Sequence, residues 1–132
     1  MLLSFLAKED DPNSGGRQMP QHFGHTDLNI VSQSSSTGTQ FLQAVGCALA
    51  RKMEKTKEIV YVSSGEGTTS QGDYHEALNW ASLAKAPVVF HIQDNEYSIS
   101  THKSEQISSS VFTMASGYKN FCLLYTSDAA DE

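Results

Sequence analysis

The residues best suited to chemistry lie in two short runs about thirty positions apart, Gly65-Glu66-Gly67 and Asp94-Asn95-Glu96-Tyr97. Glu66 offers a hard carboxylate oxygen and Asn95 a neutral amide oxygen. A main-chain carbonyl near Tyr97 would add a third. Oxygen ligands of this kind, completed by diphosphate oxygens and water, suit octahedral Mg²⁺. Glycines beside Glu66 let backbone N–H groups approach a phosphate, and the start of a following helix favours negative charge. A bare Gly-Glu-Gly is usually just a turn after a strand, and no Gly-Lys-Ser/Thr follows to make a P-loop. The signal lies in the pairing of the two runs, which points to a Mg²⁺–diphosphate site.

Both runs must then be delivered to the same place. Leu42, Val45, Leu49 and Met53 recur at helical spacing and predict a helix over 39–55. A charged exit (Glu54, Lys55, Lys57, Glu58) leads to an apolar, β-rich run at 59–62, which reads as a buried parallel strand. A second helix is expected over 73–84, with Tyr74, Ala77, Leu78 and Ala81 on one face, and Pro87 precedes a second buried strand at 88–92. Strand, helix, strand in this span is a βαβ unit, with right-handed crossover expected. Its parallel strands put both carboxyl ends on one edge of the sheet, where open α/β folds bind ligands. Upstream, 10–16 and 15–38 read as loop and irregular chain, rich in Gly, Ser, Asn and Pro.

Composition narrows the classes. The 132 residues are 39% hydrophobic and 18% charged, with a net charge of −6, which fits a globular chain. No Lys/Arg cluster exists to make a nucleic-acid footprint, and no long apolar run suggests a membrane span. The apolar opening Met-Leu-Leu-Ser-Phe-Leu-Ala lacks a basic leader and runs into Glu9, Asp10 and Asp11, so no signal peptide is expected. Two cysteines, Cys47 and Cys122, have no metal spacing, and a reducing, cytoplasmic-type compartment is the default. The final residues, 122–132, show no turn chemistry or periodicity and match a reading frame of a transposon-end adapter used for DNA libraries. They are expected to be a foreign tail, leaving a partial domain over residues 1–121 with a charge of −3.

The longer phrases carry a family resemblance. Gly65-Glu66-Gly67-Thr68-Thr69-Ser70-Gln71-Gly72-Asp73, with Asn95 further on, resembles the thiamine-diphosphate signature. Gly16-Arg17-Gln18-Met19-Pro20, Ser34-Ser35, Thr39-Gln40 and Tyr97-Ser98-Ile99-Ser100-Thr101 extend it. Together they resemble the α subunit of 2-oxo acid dehydrogenase decarboxylases, closest to the branched-chain (2-oxoisovalerate) type, including forms with α and β parts fused. The resemblance is dense from 11 to 105 and thins towards 121. It implies an α/β fold, a fragment of a doubly wound parallel-sheet thiamine-diphosphate-binding domain with a central βαβ unit. It also implies oxidative decarboxylation of 2-oxo acids with acyl transfer to lipoyl groups, thiamine diphosphate serving as electron sink.

Residue by residue, the resemblance implies Mg²⁺ ligation by Glu66, Asn95 and the Tyr97 carbonyl, and diphosphate contacts at Gly65, Gly67 and Thr68. Ser35 would lie near the aminopyrimidine, and Ser34, Thr39 and Gln40 would belong to a monovalent-cation loop, with K⁺ as the candidate ion. Some positions depart from the family: Gln93 replaces a frequent arginine, Asp94 a frequent asparagine, and Thr37 stands where an apolar cofactor prop is expected. Asp94 and Glu96 would repel a diphosphate if they pointed inward, so both are expected to face away. The family's Tyr-Arg diphosphate contact would precede Met1, its histidine-bearing loop would follow Phe121, and the activating glutamate would come from the β part. No catalytic residue is therefore expected in this segment. Implied partners are a β subunit or fused β domain, the lipoyl acyltransferase component and a 2-oxo acid, in the cytoplasm or, in a eukaryote, the mitochondrial matrix. Rivals are a pyruvate or acetoin dehydrogenase α subunit and a non-catalytic module with a degenerate cofactor fold.

Other residues have plainer readings. His22 and His25 suggest a loop lining the active-site entrance rather than a zinc site, His75 a helix-surface or packing residue, His91 a hydrogen-bonded core residue and His102 a loop residue. Arg17 is either a solvent-exposed loop residue or a substrate or cofactor contact. Gly46 is expected to permit close helix packing, Cys47 to be a small core residue, and Trp80 to lie in the core or a subunit interface.

Overall fold

The computed structural model describes residues 2–19 and 21–124. Pro20 and residues 125–132 of the expected tail lie outside them. The chain divides into two compact units, residues 1–37 and 38–132.

The first unit has little regular structure. A short helix, α1 (Leu2–Phe5), leads into a turn organised by Asp11. The buried Asp11 carboxylate accepts hydrogen bonds from the Ser14 N–H at 2.9 Å, the Ser14 hydroxyl at 3.0 Å and the Gly16 N–H at 3.3 Å. Gly16 has a φ of +72°, and a Cβ there would come within 2.5 Å of the Ala7 backbone, so only glycine closes this turn. Further on, a 3₁₀ turn (Thr26–Leu28) is bracketed by the His25–Ile30 bridge. The expectation of loop and irregular chain fits this unit.

In the second unit the order is α2 (Thr39–Met53), β1 (Val60–Gly65), a 3₁₀ turn (Glu66–Ser70), α3 (Gly72–Ala84), β2 (Val88–Gln93), β3 (Tyr97–Ser98), β4 (Thr101–His102), a 3₁₀ turn (Lys103–Glu105) and α4 (Val111–Ser116). β1 and β2 pair in parallel, in register from Val60 opposite Val88 to Gly65 opposite Gln93. β3 and β4 form a small antiparallel hairpin. The expected parallel βαβ unit is present, and its strands run one to three residues further than the apolar pattern indicates.

The core lies between one face of the sheet and the two helices. Phe41, Ala44, Val45 and Ala48 from α2 meet Tyr74, Ala77, Leu78 and Ala81 from α3, with Val62 from β1 and Ala115 from α4. Phe41 and Tyr74 make a T-shaped pair with centroids 5.0 Å apart. The α3 face is as expected. The α2 face is rotated: Leu42 and Leu49 only flank the core and Met53 is 83% exposed. Small residues at 44 and 48 let α2 approach closely, a role that apolar periodicity alone assigns to the larger side chains.

Several expectations need correction. The strands are buried on one face only. Tyr61 and Val89 are exposed on the other, and so is His91. His91 is hydrogen-bonded as expected, to the Tyr61 hydroxyl at 2.6 Å, but on that exposed face rather than in the core. A Cβ on Gly46 would meet nothing within 4 Å, so this glycine serves no close packing. Cys47 is half-buried rather than fully in the core, and Trp80, 48% exposed, is not a core residue, which leaves the subunit-interface alternative. At the far end, Phe121 and Leu123 pack partly against the core cluster while Leu124 is 86% exposed.

Candidate functional site

The two chemical runs meet at the carboxyl ends of β1 and β2. β1 ends at Gly65, and the chain tightens at once into the 3₁₀ turn that buries Glu66, Thr68 and Thr69. The Thr69 hydroxyl caps this turn by donating to the Glu66 carbonyl at 2.6 Å. β2 ends at Gln93, opposite Gly65, and delivers Asp94 and Asn95 alongside.

Glu66 is the centre of this arrangement. It is only 2% exposed, yet Oε1 is buried without a hydrogen-bond partner. Oε2 accepts a long bond, 3.4 Å, from the Asn95 N–H. A buried carboxylate this poorly satisfied is costly unless a cation or donor completes it. Asn95 Oδ1 accepts from the Tyr97 N–H at 3.0 Å, which folds 95–97 into a tight turn and leaves that oxygen a second lone pair. Among the described residues, no three His, Cys, Asp or Glu side chains converge on a metal-sized site. A divalent ion here would rely on one carboxylate supplemented by neutral oxygens.

The surrounding charges are turned elsewhere. Lys103 pairs with Glu96 at 2.9 Å and with Asp94 at 3.2 Å. The hydrogen bond and charge of Lys103 hold the Glu96 carboxyl below its usual range, and the Glu96 bond, helped by Asp94, holds the Lys103 ammonium above its own. Both acidic neighbours of Asn95 thus share one cation, Lys103. Glu96 takes a φ of +68°, a left-handed conformation that sharp reversal between Asn95 and Tyr97 requires.

The other expected positions are distributed as follows. Gly65 and Gly67 are half-buried and Thr68 is buried, all at the mouth beside Glu66, and Tyr97 is 54% exposed. Gln40 spans from α2 to the end of β1: its Oε1 accepts from the Gly38 N–H at 3.0 Å and its Nε2 donates to Ser64 Oγ at 3.2 Å. Thr39 opens α2. Ser34 and Ser35 belong to the first unit, where Ser34 Oγ accepts from the Ser36 N–H at 3.2 Å and Ser35 Oγ lies 3.4 Å from His22 Nδ1. Arg17, also in that unit, donates through Nε to the Ser14 carbonyl at 2.8 Å.

Two contributors, Lys103 and Gln106, escape a reading by motif, and a third, Ser98, sits inside the Tyr97–Thr101 phrase without its role being legible. Lys103 pairs with Asp94 and Glu96, Ser98 packs against Gly67, and Gln106 bonds to both segments. The only sequence signal of Lys103 and Gln106 is proximity to that phrase, because pairing between separate segments leaves no periodicity.

The chain is therefore an α/β protein whose candidate site sits at the carboxyl edge of a parallel pair. The family model described as "Dehydrogenase E1 component" matches residues 1–124, and the chain belongs to that family. It is 47% identical over 108 residues to the 2-oxoisovalerate dehydrogenase subunit alpha of Bacillus subtilis (strain 168), covering 82% of this chain and 33% of that protein. It is 46% identical over 94 residues to the mitochondrial 2-oxoisovalerate dehydrogenase subunit alpha 1 of Arabidopsis thaliana, covering 71% and 20%. With the Caenorhabditis elegans mitochondrial subunit alpha it shares 48% over 92 residues, covering 69% and 21%. The chain thus spans a third or less of the length of these relatives. Among the described residues no helix is long and apolar enough to cross a membrane.

Proposed function

We propose that this chain is the metal-and-diphosphate half of a thiamine-diphosphate-dependent 2-oxo acid dehydrogenase E1 component, of the α type that acts on branched-chain 2-oxo acids. The observation that carries the reading is Glu66: a nearly fully buried carboxylate, with one oxygen unpartnered, at the carboxyl edge of two parallel strands and beside Asn95. Mg²⁺ would be held by Glu66, Asn95 Oδ1 and the Tyr97 carbonyl, which are hard oxygens suited to it. The turn at Gly65, Gly67 and Thr68, running into α3, would receive the diphosphate. Ser35 is assigned to the aminopyrimidine side, and Ser34, Thr39 and Gln40 to a K⁺ loop. The thiamine ring, once bound, supplies the electron sink for decarboxylation. This segment is assigned binding and orientation of the cofactor, not proton transfer.

The names of the relatives support the branched-chain substrate over pyruvate or acetoin, and Glu66 with Asn95 speaks against a degenerate, non-catalytic module. A β subunit or fused β domain and a lipoyl acyltransferase would be the partners. The compartment would be the mitochondrial matrix in a eukaryote, as the names of the plant and animal relatives suggest, and the cytoplasm in a bacterium. The domain is assigned to residues 1–121 of a doubly wound thiamine-diphosphate fold, with 122–132 foreign to it.

In the full-length protein assembled with its partner, Glu66→Ala is expected to abolish Mg²⁺-dependent binding of thiamine diphosphate, and Asn95→Ala to weaken it less. Calorimetric titration with and without Mg²⁺ measures both. Near-normal binding in the two variants would sink the ligand assignment.

A further inference from the structure

The two segments that carry Glu66 and Asn95 are separate stretches of chain, and something must fix the gap between them. The direct link, from the Asn95 N–H to Glu66 Oε2, is long at 3.4 Å. Gln106 supplies a stronger one. Its Nε2 donates to the Gly67 carbonyl at 2.8 Å and to Ser70 Oγ at 3.1 Å, so both amide hydrogens grip the 3₁₀ turn just after Glu66. Its Oε1 accepts from Ser98 Oγ at 2.7 Å, in the hairpin that follows Asn95 and Tyr97.

Gln106 is itself held. Its N–H bonds to the Lys103 carbonyl at 3.0 Å, the Lys103 N–H bonds to the Glu96 carbonyl at 2.9 Å, and Lys103 Nζ grips Asp94 and Glu96. Residues 94–106 therefore form one knot, and Gln106 docks that knot onto the Glu66 turn. The seam is tight: a Cβ on Gly67 would fall 1.7 Å from Ser98 Oγ and 3.3 Å from Gln106 Oε1. A half-buried amide that uses both donors and its acceptor on two different segments is a spacer, and loss of any arm lets the gap open.

We propose that Gln106 is a positioning residue for the metal site, setting the distance between the Glu66 turn and the Asn95–Tyr97 ligand loop; this rests on the Mg²⁺–diphosphate reading of those residues. It acts through its bonds to Gly67 and Ser70 on one segment and Ser98 on the other. It acts as outer-shell partners of metal ligands do, where loss costs about 10- to 100-fold in affinity.

The test uses the full-length protein with its partner subunit, titrated with Mg²⁺ at fixed thiamine diphosphate, alongside melting of the cofactor-free protein. Gln106→Leu is expected to weaken Mg²⁺ binding roughly tenfold or more while the cofactor-free protein keeps a cooperative melt with at most a small fall in midpoint. Gln106→Glu, which keeps the acceptor for Ser98 but not the donors to Gly67 and Ser70, is expected to show the same loss. Ser98→Ala should show a smaller loss and add nothing in the Gln106→Leu background. Should Gln106→Leu fail to fold, Ser98→Ala alone decides, since wild-type affinity there would overturn the proposal. So would wild-type affinity in both Gln106 variants, or a loss that merely tracks a fall in melting temperature. Glu66→Ala runs in parallel. If it loses binding while the Gln106 and Ser98 variants keep it, only the positioning role falls; if it too binds normally, the site reading falls and takes this role with it.

Discussion

Glu66 and Asn95 stand out in the sequence because the two runs that carry them pair at the ends of two expected parallel strands. Their partnership is visible there, but the sterics around them are not. The two glycines flanking Glu66 read identically as places where backbone meets phosphate. The structure separates them. A Cβ on Gly65 would have only the Gln93 carbonyl nearby, at 3.9 Å, whereas on Gly67 it would strike Ser98. Gly67→Ala must therefore push the β3–β4 hairpin off the turn, and overpacking of this kind costs about 1–3 kcal/mol. Melting of the full-length, cofactor-free variants checks this: Gly67→Ala should melt lower and Gly65→Ala as wild type. Equal melting temperatures would mean that the hairpin yields freely. Asp94 and Glu96 are expected from the sequence to face away from a diphosphate, but the cation they share, Lys103, is not legible there, since it lies several residues on.

At the scale of elements, helices and parallel strands are legible because each has an apolar stripe, and the stripe of α3 is its buried face. The stripe of α2 differs from its buried face because its contact residues are partly alanines, which carry little periodic signal. The β3–β4 hairpin was invisible: four residues with polar side chains and an exposed Ile99 at the tip offer no pattern. Where α2 meets α3, burial, with Tyr118 adding to it, pushes the Tyr74 phenol up to about 12. An acid whose folded pKa is raised stabilises the fold fully below its unfolded value, near 10 for tyrosine, and that contribution is lost as pH climbs through about 12. The full-length protein should thus lose melting temperature steeply in that alkaline window, and Tyr74→Phe should flatten the loss. Parallel melting curves for wild type and variant across the window would show that Tyr74 does not ionise with unfolding.

For the molecule as a whole, a parallel pair of this size is expected to leave strand faces poorly covered, with Val60, Val62, Val89 and Ile92 exposing apolar area, and one face is indeed bare. Tyr61 and Val89, with Ile59 just before β1, expose apolar surface, which in a soluble chain invites association. Val62, by contrast, is well covered, so the exposure is narrower than the apolar pattern of the strands suggests. The 132-residue chain purified alone is expected to lack a cooperative thermal transition and to associate. Circular dichroism with light scattering measures this, and a sharp melt from a monodisperse monomer would contradict it. The unpartnered oxygen of Glu66 has a consequence for the protein's survival in the cell. An unsatisfied buried carboxylate weakens the fold until something binds it, so on the proposed reading the vitamin-derived cofactor and its metal act as a stabilising ligand for the native state. Ligand at a hundred times its dissociation constant adds about 2.7 kcal/mol. On that reading a cell short of thiamine would hold less of this protein, because the empty form opens more often to proteases.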